Sequence, residues 1–191
     1  ATTRENLLSG PLRSRFGATF RLNYYNLDDI KTILNRSAKI LKTEIAPEAV
    51  EILAKASRAT PRVANRLLKR ARDYADVYGS PAEVLPEKIL SGKAIIDEKI
   101  ASKTLELLEI DEAGLEPQER KLLEIIIKKF NGGPVGAGTL AAALSEERGV
   151  IEEIYEPYLM KLGFLQRTPA GRIALAAAYE HLGIRHKGSL L

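Results

Sequence analysis

Six cations and no anion fall between positions 58 and 72 (Arg58, Arg62, Arg66, Lys69, Arg70 and Arg72), and they coincide with a helix start that breaks an electrostatic rule. In Thr60-Pro61-Arg62-Val63-Ala64-Asn65-Arg66-Leu67-Leu68-Lys69-Arg70, Thr60 suits the N-cap and Pro61 the first helical position, where a missing N–H costs nothing. Arg62 then lies in the first turn, where exposed N–H groups carry partial positive charge and disfavour a cation by roughly 0.3–1 kcal/mol. An anion bound at that end removes the conflict. Arg62, Arg66 and Arg70 recur every four residues and share one ridge, while Val63, Leu67, Ala71 and Tyr74 line another. Two readings stand: a solvated basic face, or a phosphate site at the helix N-terminus.

A second group of cations lies near the end of the chain. Arg167, Arg172, Arg185 and Lys187 against Glu180 give residues 164–191 a balance of +3. Just before them, residues 145–156 carry Glu146, Glu147, Glu152, Glu153 and Glu156 against Arg148 alone, a balance of −4. If this region is a helix-turn-helix, its second helix would be repelled by DNA phosphates, and Pro157 should bend it. A basic hairpin without a basic reading helix predicts contact with the phosphate backbone, sensitive to salt and indifferent to sequence. A winged helix serving protein contact or structure alone is the other reading. At the start of the chain, Arg13 and Arg15 follow the turn signal Gly10-Pro11, and residues 1–21 balance at +3.

The elements that must hold these groups are mostly helices. Thr19–Tyr24 alternates weakly and reads as a short strand. Asn26 caps a helix with Asp28 and Asp29 in its first turn and Ile30, Ile33, Leu34 and Leu41 on its apolar side. Pro47 opens a second helix to about Ser57 that buries Ile52, Leu53 and Ala56, and the basic helix runs from Thr60 to about Tyr78-Gly79. The stretch with Pro81, Pro86 and Gly92 reads as loop with one turn around Glu87–Leu90, and a fourth helix follows near Asp97–Leu108. Asp111-Glu112-Ala113-Gly114 reads as a linker. Beyond it come a helix from Pro117 to Phe130, stopped by Asn131-Gly132-Gly133-Pro134, then helices at about Ala137–Leu144 and Val150–Lys161. Two strands, Gly163–Thr168 and Arg172–Leu175, flank Pro169-Ala170-Gly171. Three helices and a terminal hairpin describe a winged helix. The fold class is thus mainly α, a helical bundle followed by a winged-helix domain.

A length of 191 residues suits two domains. With no cysteine, disulfides and thiol chemistry are excluded, which fits a reducing compartment. Only His181 and His186 could act as imidazoles, so a histidine-based metal site or triad is not expected. No apolar run reaches 18 residues and no signal peptide opens the chain, so a cytoplasmic protein without membrane contact is expected.

Several blocks together resemble one family. Ala1-Thr2-Thr3-Arg4, Pro11-Leu12-Arg13-Ser14-Arg15-Phe16-Gly17, Thr60–Leu68, Gly132-Gly133-Pro134-Val135-Gly136, Tyr155-Glu156-Pro157-Tyr158-Leu159 and Gly163–Pro169 resemble, in order, the C-terminal half of the RuvB family of Holliday-junction branch-migration motors. The resemblance implies an AAA+ ATPase, a homo-hexameric ring that hydrolyses ATP to ADP with Mg²⁺ while moving double-stranded DNA, with RuvA and RuvC as partners. It implies residues 1–22 as the end of an ATPase core, 23–112 as the AAA+ lid and 113–191 as a winged-helix DNA-binding domain. It places Thr2 and Thr3 in the sensor 1 segment, makes Arg15 the arginine finger reaching a neighbouring subunit's ATP, and makes Arg62 sensor 2. Tyr24 and Pro61 are implied as further nucleotide contacts, and Arg167, Arg172, Arg185 and Lys187 as DNA contacts.

Three departures accompany it. The phosphate loop G-x-x-x-x-G-K-[ST] and any strand ending in an acidic Mg²⁺ ligand are absent, so this chain alone is expected not to hydrolyse ATP. The Tyr78–Ile96 connection looks longer than the family's. Ala170 stands where the family commonly has an arginine, which removes one backbone contact. The alternative function is a non-enzymatic winged-helix DNA-binding or regulatory protein.

Overall fold

A computed structural model describes residues 8–20, 22–78 and 95–185. The expectations at Thr2, Thr3 and Lys187, and that of a turn at Glu87–Leu90, lie outside the described residues. After the one-turn helix α1 (Gly10–Arg13), the first bundle begins at α2 (Leu27–Ile40). The Asn26 side chain accepts the Asp29 amide proton (2.8 Å), and Asp28 and Asp29 meet the positive end of the helix. Its buried face is Ile30, Leu34 and Ala38, spaced by four. The helix α3 (Pro47–Lys55) buries Ala49, Val50, Leu53 and Ala54. In α4 (Pro61–Tyr78) the buried stripe is Ala64, Leu67, Leu68, Ala71 and Ala75, whose small alanines let neighbouring backbones come close. Asp97 caps α5 (Glu98–Leu107) by accepting the Ile100 amide.

A short parallel pairing of β1 (Glu44–Ile45) with β2 (Ile95–Ile96) ties the α2–α3 connection to the chain just before α5. No period of two could announce strands of this length. The expected strand at Thr19–Tyr24 is not formed: residues 19, 20 and 22–24 are irregular, and Phe20 and Leu22 lie exposed. The described residues offer this segment no partner strand, and alternation alone does not hold an unpaired ladder together.

The second unit packs α6 (Pro117–Lys129) and α7 (Ala137–Leu144) around Leu122, Leu123, Ile126, Leu140, Ile151 and Leu159. The expected single helix at Val150–Lys161 is divided into α8 (Arg148–Val150), a π-helical turn (Ile151–Tyr155) and α9 (Glu156–Lys161). Pro157 has no N–H to give and would crowd the carbonyl four residues back, and the widened turn just before it absorbs both. The hairpin pairs β3 (Leu165–Thr168) with β4 (Gly171–Ala174), and Val135 adds a bridge to Arg172 from the other side. A closing helix, α10 (Ala176–His181), lies beyond the elements expected from the sequence. Among the described residues no helix is long and apolar enough to cross a membrane.

The stretch at 111–114 is not a loose tether. The Asp111 carboxylate accepts the Ala113 and Leu115 amides (3.0 and 2.8 Å) and lies 2.8 Å from His181 Nε2 and 3.6 Å from Arg120. Arg120 in turn donates to the Glu109 and Leu115 carbonyls (2.8 and 2.7 Å). Gly114 adopts φ +79°, and a Cβ there would stand 2.6 Å from the Ala56 carbonyl oxygen of the first bundle. Gly114→Ala should therefore lower stability by more than about 2 kcal/mol, from left-handed strain plus the clash. A fall in the urea midpoint followed by circular dichroism checks this, and an unchanged midpoint contradicts it.

Candidate functional site

The approach to α4 is built by two consecutive non-glycine residues in the left-handed region, Arg58 (φ 57°) and Ala59 (φ 53°). Ser57 donates its hydroxyl to Ala54 O (2.6 Å), Thr60 donates its hydroxyl to Ser57 O (3.2 Å), and the Tyr25 amide donates to Ala59 O (3.1 Å). Pro61 then starts the helix as the sequence predicts.

The basic stretch divides by partner. Arg66 pairs with Glu116 (3.2 Å), Arg70 with Asp73 (3.6 Å), and Arg72 with Asp73 and Asp76 (2.9 and 3.9 Å). Arg58 is bidentate on Glu119. Arg62 is exposed in the first turn and, among the described residues, its guanidinium has neither a hydrogen bond nor an ion pair. The ridge Arg62–Arg66–Arg70 is therefore not a uniform solvated face: two members are neutralised and the one at the helix N-terminus is left over.

Arg15, exposed just after α1, is likewise unpaired among the described residues. Tyr24, implied as a nucleotide contact, is half-exposed, and the Lys161 ammonium lies over its ring, 3.9 Å from the centroid. Burial pulls the Lys161 amine below its ordinary range.

In the hairpin the structure corrects the expectation for Arg172. This residue is 8% exposed, and its guanidinium donates to Glu156 Oε1 (2.7 Å) and Glu152 Oε1 (2.9 Å). It is therefore engaged inside the fold by two carboxylates. Arg167 sits directly opposite Arg172 in the β3–β4 register. Like charges so placed repel, and Glu156, itself 1% exposed, lies between them with Oε2 2.6 Å from Arg167.

The same contacts correct the expectation of five repelling carboxylates. Glu152 is shared by Arg148 (3.0 Å) and Arg172. Hydrogen bonds from Arg148 and then Arg172, set against partial burial, hold its carboxyl below the ordinary carboxylate range. Three arginines thus enclose two of the five acids. Arg167, Arg148 and Arg185 remain exposed.

One cluster escaped the sequence reading. Glu119 is fully buried in the first turn of α6, where it accepts the Glu116 amide (3.0 Å) and both prongs of Arg58 (2.7 and 3.3 Å). The Arg58 guanidinium lies over the Tyr158 ring, 4.4 Å from its centroid, and the Tyr158 hydroxyl donates to Ala113 O (2.7 Å). Burial pushes that hydroxyl up to about 12, so it stays a neutral donor. Burial also pushes the Glu119 carboxyl upward, opposed by the Glu116 amide and the Arg58 charge. Glu-x-x-Glu at 116–119 ahead of an apolar run was the available signal, since it forms a capping box.

Comparison with known proteins follows the same division of the chain. A family model for the RuvB AAA lid domain matches residues 25–111, and one for the RuvB C-terminal winged helix domain matches residues 112–183. The Holliday junction branch migration complex subunit RuvB of Koribacter versatilis is 51% identical over 185 residues, which cover 97% of this chain and 48% of that protein. The Chlorobaculum tepidum subunit of the same name is 49% identical over 193 residues, covering 100% and 52%. The solved Thermotoga maritima RuvB Holliday junction branch migration motor superposes with a TM-score of 0.79 at 43% identity, over 94% of this chain and 56% of that one. The chain thus spans about half the length of the curated relatives it matches.

The hairpin clasp carries a signed pH dependence. Because the Glu152 carboxyl is depressed in the folded state, its stabilising contribution is complete above the unfolded carboxylate value of about 4.3 and is lost as the pH falls below it. Arg172→Ala, which strips one partner from buried Glu156, should cost roughly 3–5 kcal/mol. Arg167→Ala should cost less, because Arg172 still satisfies Glu156. Urea unfolding at pH 7 and pH 3 measures both, and equal costs for the two variants would contradict the assignment.

Proposed function

The chain belongs to the RuvB family, and from that premise we propose that it is the lid and winged-helix part of an ATP-driven motor for Holliday-junction branch migration. In this reading residues 1–22 close an AAA+ ATPase core, 23–112 form the lid and 113–191 the DNA-binding domain of one subunit in a homo-hexamer working with RuvA and RuvC. The observation that carries it is the single unpaired guanidinium of the Arg62–Arg66–Arg70 ridge, held in the first turn of α4 where the helix itself favours an anion.

ATP or ADP is the fitting anion. Arg62 would contact the phosphates from within the subunit as sensor 2, with Pro61 setting the helix start, and Arg15 would reach the phosphates bound by a neighbouring subunit. A guanidinium placed on charge that builds up in phosphoryl transfer is worth about 10³–10⁵ in rate. Thr2 and Thr3 belong to the sensor 1 segment in this reading, and Tyr24 borders the same site. The residues assigned here are cations and hydroxyls, which act on phosphate charge.

DNA contact falls to Arg167, Arg185 and Lys187. Arg172 serves instead to hold the hairpin. Three phosphate contacts give a slope of about −2.7 in log K against log salt, or roughly a 40-fold loss of affinity between 50 and 200 mM. Anisotropy of a labelled duplex should show this, and Arg167→Ala and Arg185→Ala should each reduce the slope by about one. Sequence-selective binding that persists at high salt would overturn the DNA assignment.

For the motor itself, this chain can be joined behind the N-terminal half of Thermotoga maritima RuvB. The chimera should hydrolyse ATP and migrate a synthetic junction, and Arg62→Ala should lower turnover by about 10³-fold while the lid stays folded. Unchanged turnover removes Arg62 from the nucleotide site.

A further inference from the structure

Arg62 and Arg58 bracket the start of α4, one turned to solvent and the other into the protein. Between them lie only the left-handed residue Ala59, Thr60 and Pro61. Any displacement of the phosphate-facing end of α4 therefore displaces Arg58 with it. The Arg58 guanidinium grips the second unit by two contacts, the bidentate pair with fully buried Glu119 and the stack over Tyr158, and two residues earlier in the chain Ala56 meets Gly114 closely. Tyr158 belongs to α9, which also carries Glu156, the carboxylate clamped between Arg167 and Arg172 of the hairpin. One short helix thus faces the bundle through Tyr158 and the hairpin through Glu156, two residues apart.

We infer that Arg58 is a positioning residue of the motor, fixing the lid to the winged helix through Glu119 and Tyr158 so that motion of the nucleotide-facing end of α4 reaches the DNA-facing hairpin as one rigid displacement. The inference rests on the function proposed above and adds to it the part that transmits force. Bidentate geometry suits Arg58 to that role, because two parallel N–H donors on one carboxylate fix an orientation as well as a distance, and an aromatic face beneath the guanidinium removes the remaining freedom to tilt. Arg66–Glu116 and Lys161–Tyr24 span the same boundary but are more exposed single contacts, and they do not fix an angle.

The chain contains no cysteine, so Lys39→Cys on α2 and Ala170→Cys at the hairpin tip, both exposed, give one unique pair of sites for spin labels. Pulsed electron resonance on this chain should return a single narrow distance distribution. Arg58→Ala should broaden it at least twofold, Arg58→Lys should broaden it less, and Arg66→Ala should leave it narrow. In the chimera described above, Arg58→Ala should keep ATP turnover within twofold of the parent yet reduce junction migration per ATP at least tenfold, with partial recovery in Arg58→Lys. A merely structural role would lower turnover and migration together.

If Arg58→Ala fails to fold, Arg58→Lys and Arg58→Gln carry the same comparison. A distribution that stays narrow without Arg58 overturns the inference, as does broadening with migration per ATP unchanged. An unmutated chimera that hydrolyses ATP but never migrates a junction overturns the motor reading instead, and the distances in this chain still decide whether Arg58 sets the joint.

Discussion

A carboxylate with no solvent exposure must be compensated on the spot, and in this protein the compensation comes from across a domain boundary. Glu119 lies in the first turn of α6 and Arg58 precedes α4, so neither unit can bury its half of the contact without the other. Such a pair adds little net stability over an apolar substitute, but leaving one partner alone costs about 3–5 kcal/mol. That asymmetry makes it a device for fixing orientation more than for gaining stability. The surrounding arrangement follows from it: Gly114 must admit the close approach to Ala56, Tyr158 must lie flat beneath the guanidinium, and two residues of the approach to α4 must accept left-handed backbone.

Two groups of arginines then stand under opposite requirements. Arg58, Arg120 and Arg172 are fixed by carboxylates or carbonyls in partly or fully buried settings, and they determine shape. Arg15, Arg62 and Arg185 are exposed and, among the described residues, unpaired, so their charge is available to a phosphate. A near-even total of 29 basic and 25 acidic residues conceals this allocation. It is the placement of the acids that decides which cations remain free to act.

Much of the fold could be read from local signals. Asn26, Pro47, Asp97 and Pro117 each mark a helix start that the structure reproduces within a residue or two, because capping is settled by neighbours within one turn. The turn at Pro169-Ala170 was legible for the same reason, whereas at Pro157 only a bend in one helix was read, not the π-helical turn that divides it. What escaped was settled at a distance. The strand at Thr19–Tyr24 had the alternation but no partner among the described residues, and the two-residue strands β1 and β2 had a partner but no pattern. Of the candidate site, Arg15 and Arg62 lie exposed. Counting charge along the chain misjudged Arg172, Glu152 and Glu156, because a balance of +3 in one segment and −4 in another says nothing of whether the two segments neutralise each other.

The widened turn at Ile151–Tyr155 sets the rotational phase of everything after it in that helix. One residue more or fewer rotates the downstream side chains by about 100° around the axis. Removing a single residue there would restore regular α-helical pitch, yet it would swing Glu156 off the hairpin and Tyr158 off the bundle in the same stroke. The irregularity therefore acts as an indexing step, through which one helix of six residues addresses two neighbours on different sides. Its length tolerates no drift, even though none of its own side chains touches a phosphate in the proposed mechanism.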